Sequence, residues 1–344
     1  MAKKKEDLYF SSVEIKKLRK EYGADFCVPL SEIEDSDRGI IKTFPSLDSA
    51  LGGGILRGTV TQIAGAPKIG KTTLAFNVAA SFQKQYPDKE IFYYKVEGRL
   101  SSSLAKGIDG LDASRIKIIQ STKHKILSGL DFFVILEQNM RTFTDGLHII
   151  DSVGAVAGEQ ELGNSMKDQQ RGELAKILAK FCRRNSGVIP VTNSTVIALN
   201  HIRDDFNTKK KYSPGGRPWQ HQVDIDIMLK KAFPDWKVLN GDKILVGHIV
   251  VAVVKTCPLG PPNGEASLDL IYGTGFSLLR DIVRLSVDLG IVEKAGAWFK
   301  FEDFTWQGEN KYVLAMNEDK ELYDKIYKLV CDLIYGGDNE TPDA

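Results

Sequence analysis

The sequence predicts an α/β fold with a mostly parallel central sheet, and three observations lead to that prediction. Between about residues 40 and 270, apolar runs rich in β-branched residues alternate with longer helical patterns, as in sheets built with crossover helices. A glycine-bounded loop at 65–72 follows one apolar run and precedes a helical pattern. After residue 271 the pattern changes to a helix, short strands and a final helix. We therefore predict a core at 40–271 and a small α/β domain at 272–335, preceded by an N-terminal segment at 1–39.

The N-terminal segment contains one short basic helix. Within 9–22, apolar residues from Phe10 to Tyr22 recur at near-helical spacing, and Gly23 follows as a stop signal. A helix with a single apolar stripe must bury that stripe against its own domain or against another chain. The periodicity leaves both possibilities open.

The other elements follow from the same periodicities. The predicted strands lie at 60–64, 91–96, 116–120, 146–150, 195–199, 225–230, 246–255 and 267–271. The predicted helices lie at 72–85, 127–139, 169–185 and 321–335. The polar segment 336–344 is predicted to be a disordered tail.

Composition excludes several classes of protein. The chain has 344 residues, of which 42% are hydrophobic, and it has no apolar run long enough to span a bilayer. It begins without the apolar segment of a signal peptide, so we expect a cytoplasmic protein with no membrane partner. Its four cysteines lack the spacing of a zinc site and are expected to be reduced. Because the net charge is only +1, contacts with nucleic acid would have to come from local basic clusters.

The glycine-bounded loop matches the pattern GxxxxGK[ST]. It consists of Gly65, Ala66, Pro67, Lys68, Ile69, Gly70, Lys71 and Thr72, and Thr73 continues into the predicted helix. Glycines let backbone N–H groups approach phosphate oxygens, and the start of the helix adds its dipole. Lys71 would reach the β- and γ-phosphates, while the Thr72 hydroxyl would bind Mg²⁺. The alternative is an unoccupied glycine-rich turn, but the flanking strand and helix favour the binding of ATP or GTP with Mg²⁺.

Two carboxylates follow predicted strands. Asp151 follows an apolar run and could complete the Mg²⁺ shell opposite Thr72, although an aspartate at a strand end is also a common helix cap. Glu97 follows the strand at 91–96 and could polarise the water that attacks the γ-phosphate. The alternative for Glu97 is an ordinary surface carboxylate.

Further motifs carry a family resemblance. Segment 44–58 leads into the phosphate loop, 197–203 reads Ile-Ala-Leu-Asn-His-Ile-Arg, 272–275 reads Tyr-Gly-Thr-Gly and 293–299 reads Glu-Lys-Ala-Gly-Ala-Trp-Phe. Together with the phosphate loop, these segments resemble the RecA family of bacterial and phage recombinases, from residue 44 to about residue 335.

The resemblance implies both an architecture and an activity. The architecture is a RecA-like P-loop ATPase core, an N-terminal helix used in polymerisation and a small C-terminal α/β domain. The activity is that of a DNA-dependent ATPase, with ATP and Mg²⁺, that forms helical filaments on single-stranded DNA. Such a filament pairs with homologous duplex DNA and exchanges strands in recombination and repair.

The resemblance also assigns roles to catalytic candidates. It makes Glu97 the carboxylate that activates water, and His201 the residue that senses the γ-phosphate and signals to the following loop. Lys255 would clamp the γ-phosphate of a neighbouring subunit. The usual second lysine of that clamp is replaced by Cys257, which leaves one positive charge fewer at the interface.

Two segments resemble the DNA-binding loops of the family, the first at 158–170 and the second at 203–218. The candidates in the second loop are Arg203, Lys209, Lys210, Lys211, Gly215, Gly216 and Arg217, whose charges and backbone N–H groups could hold phosphates. Lys176 and Arg183, on the predicted helix after the first loop, also match basic positions that face DNA. A solvated helix face remains the alternative for these two residues.

The chain departs from the family at Lys95, where an acidic residue is usual, and at Leu104, where a tyrosine stacks on adenine in bacterial members. Two other functions therefore remain open. One is a RecA-like filament or regulator that does not exchange strands. The other is a hexameric helicase-type motor, which has no need of segment 293–299 or of a polymerisation helix.

Overall fold

The computed structural model describes residues 13–23, 26–28, 38–97, 100, 102–156, 172–204, 211–239 and 242–336. The chain divides into two compact units, Met1–Gly39 and Ile40–Ala344. The first unit contains helix α1, Val13–Tyr22, and the ring of Tyr22 stacks on Phe26 with centroids 5.1 Å apart. The predicted basic helix is thus confirmed from residue 13, while residues 9–12 lie outside the described part.

The second unit contains the remaining helices. They are α2 Pro45–Leu51, α3 Lys71–Gln85, α4 Ser102–Lys106, α5 Gly129–Thr142, α6 Glu173–Asn185, α7 Val188–Val191, α8 Gly216–Gln222, α9 Leu278–Asp288, α10 Glu309–Glu318 and α11 Lys320–Tyr335. The predicted helices at 72–85 and 127–139 are confirmed, with ends that differ by up to three residues. The described part of the helix predicted at 169–185 begins at Glu173.

Within the described residues of the second unit, the strands form one large sheet and three small ones. They are β1 Ile40–Ile41, β2 Ile55–Leu56, β3 Val60–Gly65, β4 Ile91–Lys95, β5 Ile116–Gln120, β6 Leu147–Asp151, β7 Thr195–His201, β8 Arg203–Asp204, β9 Lys211–Tyr212, β10 Ile225–Leu239, β11 Asp242–Thr256, β12 Gly264–Ile271, β13 Gly275–Phe276, β14 Glu293–Ala295, β15 Trp298–Phe301 and β16 Phe304–Gln307. The large sheet has the order β13-β12-β11-β10-β3-β7-β6-β4-β5. The strands from β10 to β5 in this order pair in parallel, and β11, β12 and β13 add antiparallel pairs. The predicted mostly parallel α/β sheet is therefore confirmed.

Apolar cores cover both faces of the sheet, as parallel sheets require. Every residue of β3 is buried, and its side chains alternate between the faces. Ile63 belongs to the cluster that includes Leu74 and Phe76 of α3. Val60 belongs to the opposite cluster, which includes Phe181 of α6. Because both faces are covered by this packing, ligands can reach the central strands only at their ends.

The C-terminal segment has an apolar cluster of its own. Strands β14, β15 and β16 form an antiparallel sheet, and Phe299 packs with Tyr312 of α10 and Ile326 of α11. The predicted succession of helix, short strands and helix is confirmed, with α10 as an additional helix. The division of the chain into a core and a small domain at residue 271 stays a prediction.

Polar contacts join this C-terminal segment to helix α2. The Tyr335 hydroxyl donates to Asp48 Oδ2 at 2.7 Å, and both the Ser46 amide and its hydroxyl donate to Asp281. The two carboxylates are buried, with 0% of Asp48 and 1% of Asp281 exposed. They are therefore part of the packing rather than of the surface.

Two differences from the sequence-based expectations concern the second half of the chain. Strands β10 and β11 each span 15 residues and pair as far as Leu239 and Asp242, beyond the predicted limits. Helix α8 occupies the end of the segment that was predicted to be a loop, 203–218. The predicted tail lies outside the described residues from 337 onward. No helix in the described ranges is long and apolar enough to cross a membrane.

Candidate functional site

The phosphate-loop motif connects β3 to α3 as predicted. Strand β3 ends at Gly65 and helix α3 begins at Lys71. Gly70 is the N-cap residue, and no side chain of the described residues caps this end of the helix. The first N–H groups of a helix have no partner within the helix, so those of the first turn of α3 are available to an anion.

The loop has little room for side chains. Gly70 has φ of 108°, which favours glycine, and a Cβ atom there would lie 3.1 Å from both Leu270 and Phe276. Lys68 also lies in the left-handed region, with φ of 60°. Gly70 therefore keeps the backbone of the loop close to the strands that support it.

Lys71 is 6% exposed and lies across the loop. Its ammonium donates to the Gly65 carbonyl at 3.1 Å and to the Ala66 carbonyl at 2.9 Å. Burial lowers the pKa of Lys71, and the charges of Asp151 and Glu97 offset part of this effect. A cation is thus held where it could donate hydrogen bonds to phosphate oxygens.

Thr72 and Asp151 form a hydroxyl–carboxylate pair beside this lysine. Thr72 Oγ1 donates to Asp151 Oδ2 at 3.0 Å, and the Tyr93 hydroxyl donates to the same oxygen. Burial raises the pKa of Asp151, whereas the hydrogen bonds from Tyr93 and Thr72 lower it. Hydroxyl and carboxylate oxygens are the ligands that Mg²⁺ prefers, so the pair fits the predicted metal shell. The sequence analysis missed Tyr93. Its position on β4, two residues before Lys95 at the end of the strand, places it near the edge of the sheet where Asp151 lies and could have indicated the contact.

Glu97 and His201 meet at the same edge of the sheet. His201 Nε2 lies 3.2 Å from both carboxylate oxygens of Glu97, and Ser152 Oγ donates to Glu97 Oε2 at 2.5 Å. His201 Nδ1 lies 3.3 Å from Lys71 Nζ. One imidazole thus connects the carboxylate with the buried cation. Ser152 was also missed, and its place directly after Asp151 was the available signal.

These groups line one cavity of about 530 Å³, a size usual for small-molecule sites. Lys71, Thr72, Asp151, Glu97 and His201 lie on its wall. The other lining residues are Pro67, Lys68, Gly70, Thr73, Leu104, Leu270, Ile271, Tyr272, Gly273 and Gly275. The structure therefore brings together all but one of the predicted catalytic residues.

An aromatic side chain also lines the cavity. Tyr272 is 47% exposed and lines the cavity together with Leu104. Its hydroxyl lies 3.0 Å from Nδ1 of the buried His248. This tyrosine offers a flat apolar surface, and sequence reasoning used it only as part of a family motif.

The basic candidates lie on two helices that converge. Lys176 and Arg183 are exposed on α6, and Lys180 is exposed between them, which its spacing of four from Lys176 could have indicated. A Cβ atom at Gly216, the first residue of α8, would lie 3.5 Å from Ala175 of α6. The starts of the two helices are therefore in contact.

The second predicted loop is described only in part. Arg203 and Arg217 are exposed, and the Arg203 guanidinium donates to the Gly154 carbonyl at 3.5 Å. Gly215 and Gly216 both have positive φ, at 134° and 74°. The backbone of Lys211 belongs to β9, which pairs with β8. Lys209, Lys210 and the first predicted loop, 158–170, lie outside the described residues.

Lys255 does not join the other catalytic candidates. It is exposed on β11 and is not among the described residues that line the cavity. Burial raises the pKa of the nearby Asp226, and the charge of Lys255 offsets part of that rise. Cys257 donates its thiol to the Leu51 carbonyl at 3.1 Å. Lys95 donates to Gln120 Oε1 at 3.2 Å, on the neighbouring strand β5.

Comparison with known proteins gives consistent matches. The family model described as the RecA N-terminal domain matches residues 11–277. "Protein RecA" of Chloroherpeton thalassium is 29% identical over 339 residues, which cover 97% of this chain and 92% of that protein. "Protein RecA" of Thermus aquaticus is 30% identical over 318 residues, or 91% of this chain and 90% of that protein. The protein of the same name from Ruminococcus albus is 30% identical over 292 residues, or 83% and 70% of the two chains.

Proposed function

Since the chain belongs to the RecA family of recombinases, we propose that it is a DNA-dependent ATPase that forms filaments on single-stranded DNA and catalyses homologous pairing and strand exchange. The observation that carries the proposal is the meeting of Lys71, Thr72, Asp151, Glu97 and His201 around one cavity. Lys71 and Thr72 begin the helix that follows β3, and the other three residues lie at the ends of β4, β6 and β7. These four strands are neighbours in the sheet.

The phosphates of ATP would occupy the loop end of the cavity. The uncapped start of α3 offers backbone N–H groups to the oxygens, and Lys71 can exchange the carbonyls of Gly65 and Ala66 for phosphate oxygens. Thr72 and Asp151 would hold Mg²⁺, which neutralises charge on the phosphates when it is bound. The base would lie between Leu104 and Tyr272, where leucine supplies an apolar contact in place of a second aromatic ring.

Glu97 would orient the attacking water and accept its proton. It lies at the same cavity wall as Lys71 and is held there by Ser152 and His201. His201 also contacts Lys71. A phosphate that accepts the hydrogen bonds of this lysine would therefore change the surroundings of the imidazole. His201 therefore has the contacts that a γ-phosphate sensor needs.

Lys255 would act on the nucleotide of a neighbouring subunit. It is exposed and does not belong to the described lining of its own cavity, which is the arrangement expected of a cation supplied across an interface. Helix α1 would provide the contact that polymerises the subunits. Hydrolysis would then depend on filament assembly, because each cavity is completed by the next protomer.

Single-stranded DNA would lie along the converging starts of α6 and α8. Exposed basic side chains there can neutralise phosphates, and Gly216 lets the backbone approach the strand closely. The predicted loops at 158–170 and 203–218 lead into these two helices. DNA contact would thus be made next to the strand that carries His201.

Measurement of ATP hydrolysis with and without single-stranded DNA tests the proposal, with Lys71→Ala as the inactive control. We expect hydrolysis to be strongly stimulated by DNA, helical filaments in electron micrographs, and conversion of a homologous duplex and a single strand into exchanged products. Filaments and ATPase activity without exchanged products would identify a regulator instead. Closed rings would identify a helicase-type motor, and equal hydrolysis with and without DNA would refute the proposal.

A further inference from the structure

A buried polar network joins two central strands of the sheet, β3 and β7, to helix α8. Gln62 Oε1 accepts a hydrogen bond from Trp219 Nε1 at 2.9 Å and another from Asn200 Nδ2 at 3.0 Å. Asn200 Nδ2 also donates to the Pro214 carbonyl at 2.8 Å, and Gln62 Nε2 donates to Asp226 Oδ1 at 3.0 Å. Gln62, Asn200 and Trp219 are 4%, 0% and 1% exposed. None of them lines the cavity within the described part of the chain.

Each member of the network lies on an element with a place in the proposed function. Gln62 is on β3, which ends at the phosphate loop, and Asn200 directly precedes His201 on β7. Trp219 is on α8, the helix that follows the second candidate DNA loop. Asp226 is on β10, next to the strand that carries Lys255. The network thus joins the strands that lead to the phosphate loop and to His201 with α8 and the residues just before it.

The indole of Trp219 also contacts the loop directly. A Cβ atom at Gly215 would lie 2.7 Å from Trp219 Cδ1, so the Gly215 backbone packs against the ring without space for a side chain. The Asn200 side chain fixes the adjacent Pro214 carbonyl. Loop positions 214 and 215 are therefore held by one side chain from the strand of His201 and one from α8.

We propose that Gln62, Asn200 and Trp219 are positioning residues that couple the state of the nucleotide cavity to the placement of the DNA-binding loop. The proposal rests on the proposed function, since it explains how that function connects its two sites. A displacement of His201 moves Asn200, its neighbour on β7, and Asn200 acts on the loop through Pro214 and on α8 through Gln62. Because these groups are buried, each bond that breaks leaves a polar atom without water, which makes the network respond as a unit.

A second observation brings Gly154, which precedes the first candidate loop in the chain, next to the same network. Asn200 Oδ1 is buried and has no hydrogen-bond partner among the described residues. A Cβ atom at Gly154 would lie 2.9 Å from this oxygen. Gly154 lies in the short helical turn after Asp151, just before the segment that contains the first candidate loop. Asn200 therefore packs against Gly154, which precedes the first candidate loop, and donates to Pro214, which lies in the second.

The test uses Trp219→Phe, which removes the indole donor and keeps an aromatic ring. Trp306→Phe is the matched control, because Trp306 packs in the C-terminal cluster far along the chain. We would measure the affinity for single-stranded DNA with and without a slowly hydrolysed ATP analogue, the affinity for the analogue alone, and thermal unfolding. For Trp219→Phe we expect the analogue-induced gain in DNA affinity to fall about 5-fold or more, a usual size for coupling between sites. The affinity for the analogue alone should change less than about 2-fold, and the control should keep the wild-type gain.

A second substitution, Gln62→Met, removes the acceptor at similar side-chain length. We expect it to reduce the gain at least as much as Trp219→Phe does, because Gln62 also contacts Asn200 and Asp226. The double variant should lose no more than Gln62→Met alone, because the indole hydrogen bond that Trp219→Phe removes is already absent in that variant. Losses that multiply would overturn the proposal. An unchanged analogue-induced gain in both single variants would also overturn it. So would a fall in the affinity for the analogue, or a loss of folded protein, as large as the fall in that gain. A wild-type protein without any analogue-induced gain would instead refute the proposed function itself.

Discussion

The Nε2 atom of His201 lies 3.2 Å from both carboxylate oxygens of Glu97. The other ring nitrogen lies 3.3 Å from the ammonium of Lys71. A single imidazole therefore contacts the group proposed to orient water and the group proposed to bind phosphate. Because the parallel strands end at one edge of the sheet, residues far apart in the chain form this arrangement without a long loop.

The substitution Glu97→Gln tests the role of the carboxylate. The amide keeps the size of the side chain and can still contact Ser152 and His201, but it cannot take a proton from water. We expect DNA-stimulated hydrolysis to fall about 100-fold or more, while ATP-dependent filaments persist. Steady-state ATPase assays and electron microscopy measure the two properties. Glu302→Gln, at an exposed ion pair with Lys325, is the control and should hydrolyse ATP normally. Undiminished turnover in Glu97→Gln would exclude Glu97 as the base.

The pair of Thr72 and Asp151 predicts a specific dependence on Mg²⁺. Asp151→Asn keeps an oxygen acceptor but removes the negative charge, so we expect about a tenfold higher Mg²⁺ concentration for half-maximal hydrolysis. Nucleotide affinity without Mg²⁺ should change little. Tyr93→Phe removes only the hydrogen bond to Asp151 and should produce a smaller shift. An equal loss of nucleotide affinity with and without Mg²⁺ would argue against a metal role for Asp151.

Much of the candidate site could be predicted from the sequence because its signals are local. The phosphate loop has a fixed spacing, and Glu97 and Asp151 directly follow apolar strands whose ends meet at one edge. The supporting contacts could not be predicted in this way. Gln62 and Trp219 are 157 positions apart, and neither belongs to a recognisable motif.

Helix α8 shows why the end of the second loop was interpreted wrongly. Two glycines and Pro218 are signals of a loop, yet Pro218 is the third residue of a helix. A proline is tolerated there because the first N–H groups of a helix need no partner within the helix. In contrast, the length of β10 and β11 had a signal that was not used, since Asn240 and Gly241 form a dipeptide typical of hairpin turns.

Asp48 predicts a pH dependence of stability. Burial raises its pKa from 3.8 to about 7, against the hydrogen bonds from Tyr335 and Thr43. A carboxyl whose pKa is raised by folding contributes most stability below the unfolded value and loses it as the pH rises through the folded value. In Asp48→Asn this loss is absent, because the amide has no charge to bury. The free energy of unfolding of the variant should therefore rise relative to the wild type between about pH 4 and pH 7, by at most about 1.4 kcal/mol per pH unit.

Denaturant unfolding at several pH values, in dilute protein without nucleotide, measures this difference. The difference between variant and wild type is required because His148 acts oppositely. Burial lowers the pKa of His148 to about 3, so its contribution to stability falls as the pH drops below about 6.5. Asp131→Asn is the control, since hydrogen bonds lower the pKa of Asp131 and its contribution is constant over this range. A difference for Asp48→Asn that does not vary with pH would show that Asp48 is ionised in the folded protein.

Lys255 predicts complementation between two inactive variants. If this lysine serves the cavity of a neighbour, Lys255→Ala has an intact phosphate loop but supplies no clamp, whereas Lys71→Ala supplies the clamp but has no functional loop. In a mixed filament, a Lys255→Ala cavity next to a Lys71→Ala protomer is complete. Random mixing in equal amounts makes about a quarter of the head-to-tail interfaces complete.

We therefore expect the mixture to hydrolyse ATP at a rate well above the sum of the separate variants, with single-stranded DNA present. Lys230→Ala, an exposed lysine on the adjacent strand β10, should be active by itself and serves as the control for loss of charge. A mixture no more active than its components would mean that Lys255 acts within its own protomer or not at all. Full activity of Lys255→Ala alone would instead show that this lysine has no part in hydrolysis. Removal of a cation that stabilises the negative charge of the phosphate in the transition state must lower the rate.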